Sequence, residues 1–585
     1  MQFFVSQSLA CLTLLRVAFS SPIASVGPRA VVVDDASKLN PSYDYVVIGG
    51  GASGLVVANR LTENSAVTVL VIEYGYVDAQ DGGTSVPGLL VPSKYRRDYT
   101  SVPQPGLDGR TSPIYTGAVV GGGTVVNGMF FNRGSAGDYD AWEKLGNPGW
   151  GWSDLLPYFK KSETFTPPIE AIADEFPGII STDLFPHGTN GPVGSSFSNY
   201  QYPIIRNFFK GWNSIGIKTQ PQPNAGDANG AFYGPISLTA KNQSRSDASD
   251  AYYRPIAGKR ANFHLITGQT VSKINFSSKK KATSVNVLQL SGIGPKELLS
   301  GLGIKTIVDL PGVGRNFQDQ VSMFPQWTYS NYPFPSPDWA TSNQTWADEQ
   351  LAIYYKNRTA FIPLQNVTSD YQSIIKSASV VDPTTLFPAD IDPTIIAGYK
   401  AQSAQILSLY ASAHATVEEV AWAGGDTVSL ALLKPLSRGV ITINTTDPTA
   451  VPVFDYGTFT HPTDIDVAVQ SFKKLREFMS SGPMLETGAV ETYPGANVTT
   501  DAQIAAAIRG FATSTWAHPT CSCAMMPLKL GGVVDSQLRV YGVTGLRIVD
   551  ASIMPMIPGS HTASTVYAVA EKAADIIKSV ASGRK

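Results

Sequence analysis

The sequence predicts a mixed fold, α/β at its two ends and α+β overall: a Rossmann-like domain joined to a second domain built on an antiparallel sheet. Three observations support this. Residues 43–73 run strand, glycine turn, helix, strand, acid. Residues 320–500 hold aromatic, alternating segments of the kind that lie half-buried in antiparallel sheets. The C-terminal end then returns to a strand-like run followed by an amphipathic helix.

The N-terminus reads as an address. Phe3 to Phe19 is largely apolar, centred on Leu9-Ala10-Cys11-Leu12-Thr13-Leu14-Leu15, and Ala18-Phe19-Ser20 suits cleavage after Ser20. Arg16 interrupts the run and no basic residue precedes it. Residues 1–20 are therefore expected to be a signal peptide, which places the protein in the secretory pathway. The run is too short for a membrane span, and no later stretch qualifies, so no stable membrane anchor is expected. N-x-S/T sequons at Asn242, Asn275, Asn343, Asn357, Asn366, Asn444 and Asn497 are compatible with a secreted glycoprotein. Residues 21–40 are read as a flexible lead-in.

Tyr43-Asp44-Tyr45-Val46-Val47-Ile48 is a β-branched and aromatic run that reads as a buried strand. It enters Gly49-Gly50-Gly51-Ala52-Ser53-Gly54, a G-x-G-x-x-G match, and an amphipathic stretch from Leu55 to Leu61. Val67 to Ile72 is a second strand ending at Glu73, 19 residues after Gly54. That order is the dinucleotide-binding unit. The turn exposes backbone N–H groups at a helix N-terminus, where the dipole favours a pyrophosphate, and the acid can accept from a ribose diol.

A second glycine-rich stretch runs from Gly117 to Gly134 and includes Gly121-Gly122-Gly123-Thr124-Val125-Val126-Asn127-Gly128-Met129-Phe130-Phe131-Asn132-Arg133. Alone it fits a buried turn as well as a ligand cradle. Asp138 to Trp142 reads as an aromatic loop, and Trp150 to Lys160 as a short helix capped by Ser153. Ala261 to Ile266 and Val271 to Ile274 read as successive strands. Leu546 to Asp550 reads as a strand. The helix after Thr565 puts Val566, Val569, Ala570, Ala573 and Ile577 on one face.

The charged fraction is 15%, below the roughly 25% of an ordinary globular protein. Net charge is −2, which gives no footprint for nucleic acid or an anionic membrane surface. Beyond the leader only Cys521 and Cys523 remain, and their i, i+2 spacing rarely suits a disulfide. Buried free thiols are expected, and no metal site, because His518 alone is too few ligands.

Two of the six histidines sit near the end, His518 in Trp516-Ala517-His518-Pro519 and His561 in Gly559-Ser560-His561-Thr562. A lone histidine is ordinarily a satisfied structural residue. Neither of these lies on an amphipathic face, and a histidine titrating near neutrality is suited to taking a proton from an alcohol as its carbon loses hydride. The chain lacks a G-x-S-x-G elbow and an H-E-x-x-H motif, so hydrolase and zinc-protease chemistry have no motif behind them.

With these motifs together, the chain resembles the glucose–methanol–choline (GMC) family of FAD-dependent oxidoreductases, most closely the fungal secreted branch. The resemblance covers nearly everything after residue 41. It rests on residues 49–54 with Glu73, the Gly121–Arg133 loop, Leu290-Ser291-Gly292-Ile293-Gly294-Pro295, Leu310-Pro311-Gly312-Val313-Gly314-Arg315-Asn316, Pro435-Leu436-Ser437-Arg438-Gly439, the segment from His518 through Ser522-Cys523 to Met525, and Val549-Asp550-Ala551-Ser552 with Met554-Pro555. It implies an FAD-binding Rossmann-like domain over 41–320, an antiparallel-sheet substrate-binding domain over 321–500, and a return over 501–585 that carries the catalytic histidines.

By resemblance, Gly49, Gly51, Ala52, Ser53 and Gly54 would hold the FAD pyrophosphate, and Glu73 with Tyr74 the adenosine ribose side. Val271 would touch adenine. Asn127, Gly128, Met129 and Phe130 would line the flavin, and Ala551, Thr562 and Ala563 would close over the pyrophosphate and pyrimidine side. His518 matches the family's base and His561 its second active-site position. Some relatives attach FAD through a histidine in the second glycine loop; Val126 occupies that neighbourhood here, so FAD is expected to be non-covalent. The implied reaction is oxidation of a CH–OH group of a small-molecule alcohol, with oxygen or another electron acceptor regenerating the flavin. Trp516, Phe511 and Phe131 point to an apolar or aryl alcohol, including secondary-metabolite intermediates. A non-redox lyase or cyclase on the same fold, or an inactive truncated product, are the competing readings.

Two departures stand out. Relatives place a few dozen residues, including a strand, between the region of Val271 and the Leu288-Gln289-Leu290-Ser291-Gly292 segment, whereas here Asn286 passes directly into Val287. This predicts a missing strand in the FAD domain, and with it weakened FAD binding, because buried backbone groups would lose partners. Gln320 stands where many relatives carry His.

Overall fold

A computed structural model describes residues 31–583 apart from 34–35, 81, 88–90, 200, 276–284, 334–357 and 423. The expected signal peptide and the sequons at Asn343 and Asn357 lie outside the described residues. The first layer is a parallel sheet of four strands, in the order Val31–Val33, Phe263–Ile266, Val69–Ile72, Tyr45–Ile48. The lead-in thus contributes an edge strand at Val31–Val33, where the sequence suggested only a flexible segment. Three β-branched residues in a row have the right character for it.

The Ala52–Leu61 helix follows the first glycine turn and buries Leu55, Val56, Ala58 and Leu61. Against it lies the Ala563–Ala581 helix, which also packs on the Trp152–Ser162 helix. The predicted face of this C-terminal helix holds Val569, Ala570, Ala573 and Ile577 in the core, while Val566 is half-buried.

Four local expectations are corrected. Asp138 to Trp142 belongs to an Ala136–Lys144 helix, started where the Asp138 carboxylate accepts the Ser135 N–H at 3.1 Å. The next helix begins at Trp152, so Ser153 is inside it and does not cap it; Asp140 of the neighbouring helix accepts the Trp152 N–H at 2.9 Å instead. Val271 to Ile274 forms no strand. The chain ahead of it is held at the end of the Val69–Ile72 strand, with Gln269 N–H donating to the Glu73 carbonyl, and Ile274 N–H goes to Ser291 Oγ at 2.9 Å. Leu546 to Asp550 is likewise irregular: Val540 and Ile548 N–H groups bond the Leu546 and Leu538 carbonyls, so the segment pairs with its own preceding loop.

The second layer is an antiparallel sheet of five strands, in the order Val321–Met323, Val428–Leu432, Glu418–Trp422, Arg358–Ile362, Gly230–Tyr233. Its last strand comes from before residue 321. The same domain is as much helix as sheet, with Tyr371–Ser379, Pro393–Tyr410 and Pro462–Met479 packed around it.

Among the described residues the parallel sheet ends at Tyr45–Ile48, the first strand of the dinucleotide unit. In a doubly wound sheet that strand is central. Here Val46 is 49% exposed, whereas Val69, Leu70 and Val71 on the neighbouring strand are buried. A continuously apolar strand suited to burial on both faces thus sits partly in solvent.

Candidate active site

The two glycine loops meet. Gly121 N–H donates to the Gly50 carbonyl at 2.7 Å, and Gly51 pairs with Gly121 as a parallel bridge. A Cβ on Gly122, which sits at φ +57°, would lie 2.8 Å from the Gly51 Cα. Only glycine permits this approach. Glu73 is 7% exposed and accepts Gly50 and Gly75 N–H at 2.7 Å each; burial is the largest influence on its carboxyl and raises it above the ordinary range.

The helix that begins at Ala52 makes its first internal bond from Leu55 N–H to the Gly51 carbonyl, so the N–H groups before Leu55 have no intrahelical acceptor. The Ser53 hydroxyl oxygen beside them is buried and unpartnered. A helix start with an orphaned hydroxyl, cradled by glycines, fits a pyrophosphate. Gly49, Gly51, Ala52, Ser53, Gly54 and Glu73 are thus gathered at one end of the parallel sheet. Tyr74 is 43% exposed and lies under the Arg97 guanidinium at 3.9 Å. Val271 is half-buried, two residues after Gln269, whose N–H donates to the Glu73 carbonyl.

The second glycine loop continues to the histidines. Asn127 Oδ1 accepts Met129 N–H at 3.0 Å and an Arg245 N–H at 2.9 Å, which holds Met129 in its left-handed conformation. Gly128 is exposed and Met129 buried. The Phe130 ring stacks on His561, with centroids 4.1 Å apart and planes within 7°. Asn132 Oδ1 lies 3.1 Å from His561 Nδ1.

His518 sits edge-on to His561, with ring centroids 5.1 Å apart. Its turn is organised by Asp319, which accepts N–H groups from Gln320, Trp516 and His518 and the Thr515 hydroxyl. These bonds hold Ala517 at φ +63° and aim the imidazole inward. Burial pushes the Asp319 carboxyl up to about 7. The His518 Nδ1 is 2.7 Å from Gln320 Oε1.

A third titratable group completes the cluster. Glu419, on the Glu418–Trp422 strand, is fully buried, with Oε1 3.6 Å from His561 Nε2. It accepts the Thr359 hydroxyl at 2.9 Å and the Trp516 indole N–H at 3.1 Å. Desolvation lowers both imidazoles and pushes Glu419 up to about 8. At neutral pH the cluster is therefore composed of uncharged groups: two neutral imidazoles and a protonated carboxyl. Such an arrangement can accept a proton from a bound hydroxyl.

The segment before His561 is fixed from below by the buried Lys434–Asp138 ion pair, since Asp138 also accepts the Gly559 N–H at 3.1 Å. Ala551 accepts Cys521 N–H at 3.2 Å, and Thr562 and Ala563 open the C-terminal helix. Cys521 and Cys523 are buried free thiols. Among the described residues no group of three or more His, Cys, Asp or Glu could hold a metal ion, and no helix is long and apolar enough to cross a membrane.

Sequence reasoning placed both histidines and the glycine loops but did not assign Asn132, Asp319 or Glu419. For the last there was a signal: Glu418-Glu419 interrupts an otherwise apolar strand. Alternation sends one carboxyl to each face, and the strand is buried on both.

Family models described as GMC oxidoreductase match residues 43–294 and 435–570. A dehydrogenase, xptC, of Emericella nidulans is 36% identical over 97% of this chain and 98% of its own length. Among solved structures, an FAD-dependent oxidoreductase from Chaetomium thermophilum superposes with a TM-score of 0.90 at 38% identity, covering 92% of this chain and 100% of that one. A fungal aryl-alcohol oxidase superposes with a TM-score of 0.85 at 33% identity, covering 92% and 99% respectively.

Proposed function

The chain belongs to the GMC oxidoreductases, FAD-dependent enzymes acting on CH–OH groups, and we propose that it oxidises an aryl or similarly apolar alcohol with His518 as the proton acceptor. The observation that carries this reading is the edge-on pair of neutral imidazoles, His518 and His561, with the aromatic rings of Phe130 and Trp516 against His561. The Trp516 ring also packs near Phe324 and against a cluster containing Phe232 and Phe361, so the walls favour a flat apolar substrate. The likeness to an aryl-alcohol oxidase agrees with that class.

In this mechanism His518 Nε2 takes the hydroxyl proton while His561, edge-on to it at 5.1 Å between centroids, packs against the same end of the substrate. Asn132 and the stacked Phe130 hold the His561 ring; Asp319 and Gln320 hold His518. FAD, when bound, supplies the two-electron acceptor for the hydride that leaves the carbon. Gly49 to Gly54 and Glu73 would hold its pyrophosphate and ribose, with Tyr74 and Val271 on the adenosine side. Asn127 to Phe130 would lie along the ring, and Ala551, Thr562 and Ala563 would close the other side. The attachment is non-covalent, so acid precipitation should leave the flavin in the supernatant.

Anaerobic mixing of the flavin-loaded protein with a panel of aryl alcohols tests the reading, with bleaching of the flavin the expected result. Turnover without bleaching would favour a non-redox reaction, and the absence of both bleaching and turnover would overturn the proposal. The protein is also read as secreted and glycosylated. Asn242, Asn444 and Asn497 present exposed sequons, whereas Asn366 is half-buried in a helix. A mass shift on endoglycosidase treatment of protein from the native host checks this.

A further inference from the structure

We propose that Gln320 is a positioning residue that locks His518 in the tautomer bearing its proton on Nδ1, so that Nε2 is the basic nitrogen offered to the substrate. This rests on the reading of His518 as the proton acceptor and adds the means by which the correct nitrogen is selected.

The argument begins from the chemistry of a primary amide, which has one acceptor oxygen and two donor hydrogens on nitrogen. Gln320 is completely buried. Its Nε2 lies 3.0 Å from the Pro558 carbonyl and 3.2 Å from the Ser560 carbonyl. Both partners are acceptors only, so both amide hydrogens are committed. Flipping the amide would place its oxygen against two carbonyls and leave its N–H groups without acceptors in a buried site, each costing a desolvation penalty. The orientation is therefore fixed by the Pro558 and Ser560 carbonyls, independently of the histidine.

It follows that the atom 2.7 Å from His518 Nδ1 is an oxygen. An amide oxygen can only accept, so Nδ1 carries hydrogen. A neutral imidazole has one N–H, which leaves the lone pair on Nε2. The other ionisable groups near the ring do not supply a competing acceptor for Nδ1: the Asp319 oxygens are taken by three backbone N–H groups and the Thr515 hydroxyl, and Glu419 is bonded to Thr359 and Trp516. His561 meets the ring edge-on and is itself held at Nδ1 by Asn132.

The same amide also ties the base to its neighbour. Pro558 and Ser560 flank Gly559 in the segment leading to His561, so one buried side chain sets the orientation of one histidine and pins the loop of the other.

The test uses flavin-loaded protein labelled with 15N-histidine, read by two-bond proton–nitrogen correlation, together with stopped-flow flavin reduction over a pH series. Wild type should show His518 protonated on Nδ1 and bare on Nε2. Gln320→Leu should show mixed tautomers and a reduction rate lowered about 10²-fold, with flavin occupancy and KM near wild type. Gln320→Glu keeps an acceptor opposite Nδ1. Buried against the Pro558 and Ser560 carbonyls, its carboxyl stays protonated, donates to one of them and offers its other oxygen to Nδ1, so the tautomer and most of the reduction rate should be retained. That rescue by an oxygen acceptor, against the loss in the leucine variant, is not expected of a residue that only packs. A wild-type His518 protonated on Nε2, or a Gln320→Leu protein with wild-type tautomer and rate, would overturn the proposal. Should Gln320→Leu fail to fold, the wild-type spectrum and the tautomer retained or lost in Gln320→Glu decide the matter. The intended tautomer in a protein whose flavin no alcohol reduces would sink the proposed function and leave the lock standing.

Discussion

Replacing Glu419 with Gln should stabilise the protein in a pH-dependent way. Burial holds the Glu419 carboxyl up to about 8, against an ordinary value of 4.5. The folded state therefore keeps a proton that the unfolded chain releases, and stability falls as pH rises between those values, by about 1.4 kcal/mol per pH unit. Integrated, the destabilisation is about 1 kcal/mol at pH 5, about 3 kcal/mol at pH 7 and about 4–5 kcal/mol above pH 8. A neutral amide of the same shape can accept the Trp516 N–H and donate to the Thr359 hydroxyl, the two groups that Glu419 contacts, without that cost. The Glu419→Gln protein should thus match wild type near pH 5 and exceed it by several kcal/mol near pH 8.5. Urea unfolding of the flavin-loaded proteins at both pH values measures the difference. An advantage that is the same at both would refute the reasoning, since it would show that Glu419 does not titrate between them.

Other outcomes follow from the same geometry. His518→Ala should leave the flavin spectrum intact while slowing anaerobic flavin reduction about 10²–10⁴-fold; an unchanged reduction rate would remove His518 from the mechanism. Gly122→Ala places a methyl 2.8 Å from the Gly51 Cα at a position with φ +57°, so purified protein should carry little flavin by its visible absorbance. Glu571 is fully buried and takes Arg60 at 2.7 Å and the Tyr252 hydroxyl at 2.9 Å. Breaking that arrangement with Glu571→Leu should cost about 3 kcal/mol of stability by denaturant titration, because the Tyr252 hydroxyl loses its acceptor and Arg60 keeps only the exposed Glu63 as a partner.

The parts legible in the sequence were those with local causes. The turn at Gly49 to Gly54 and the acid at Glu73 declare themselves by spacing, and the C-terminal helix by its apolar period. Elements settled by distant partners were harder to read. Val271 to Ile274 has strand-forming residues, yet its neighbours are taken by the Glu73 carbonyl and Ser291 Oγ, and no strand forms. Val31–Val33 has the same character and does form one, because the Phe263–Ile266 edge is open to it. The active-site cluster shows the same division. His518 and His561 drew attention as rare residues outside amphipathic faces. Glu419 reaches them only because the antiparallel sheet sets it beside Trp516, a relation with no trace in local spacing.

The packing of the C-terminal helix against the first glycine-turn helix bears on how the molecule comes into being on the ribosome. Arg60, on the second-born element of the chain's dinucleotide unit, waits for Glu571 across 511 residues, and the apolar face of Ala52–Leu61 waits with it. The first domain to emerge therefore cannot close until nearly the last residue has been translated. Its exposed face must be shielded throughout synthesis, the period when long-range topologies are most exposed to aggregation. A chain stopped just short of that helix would keep His561 only on a free chain end, so premature termination yields neither a finished cofactor domain nor a working site.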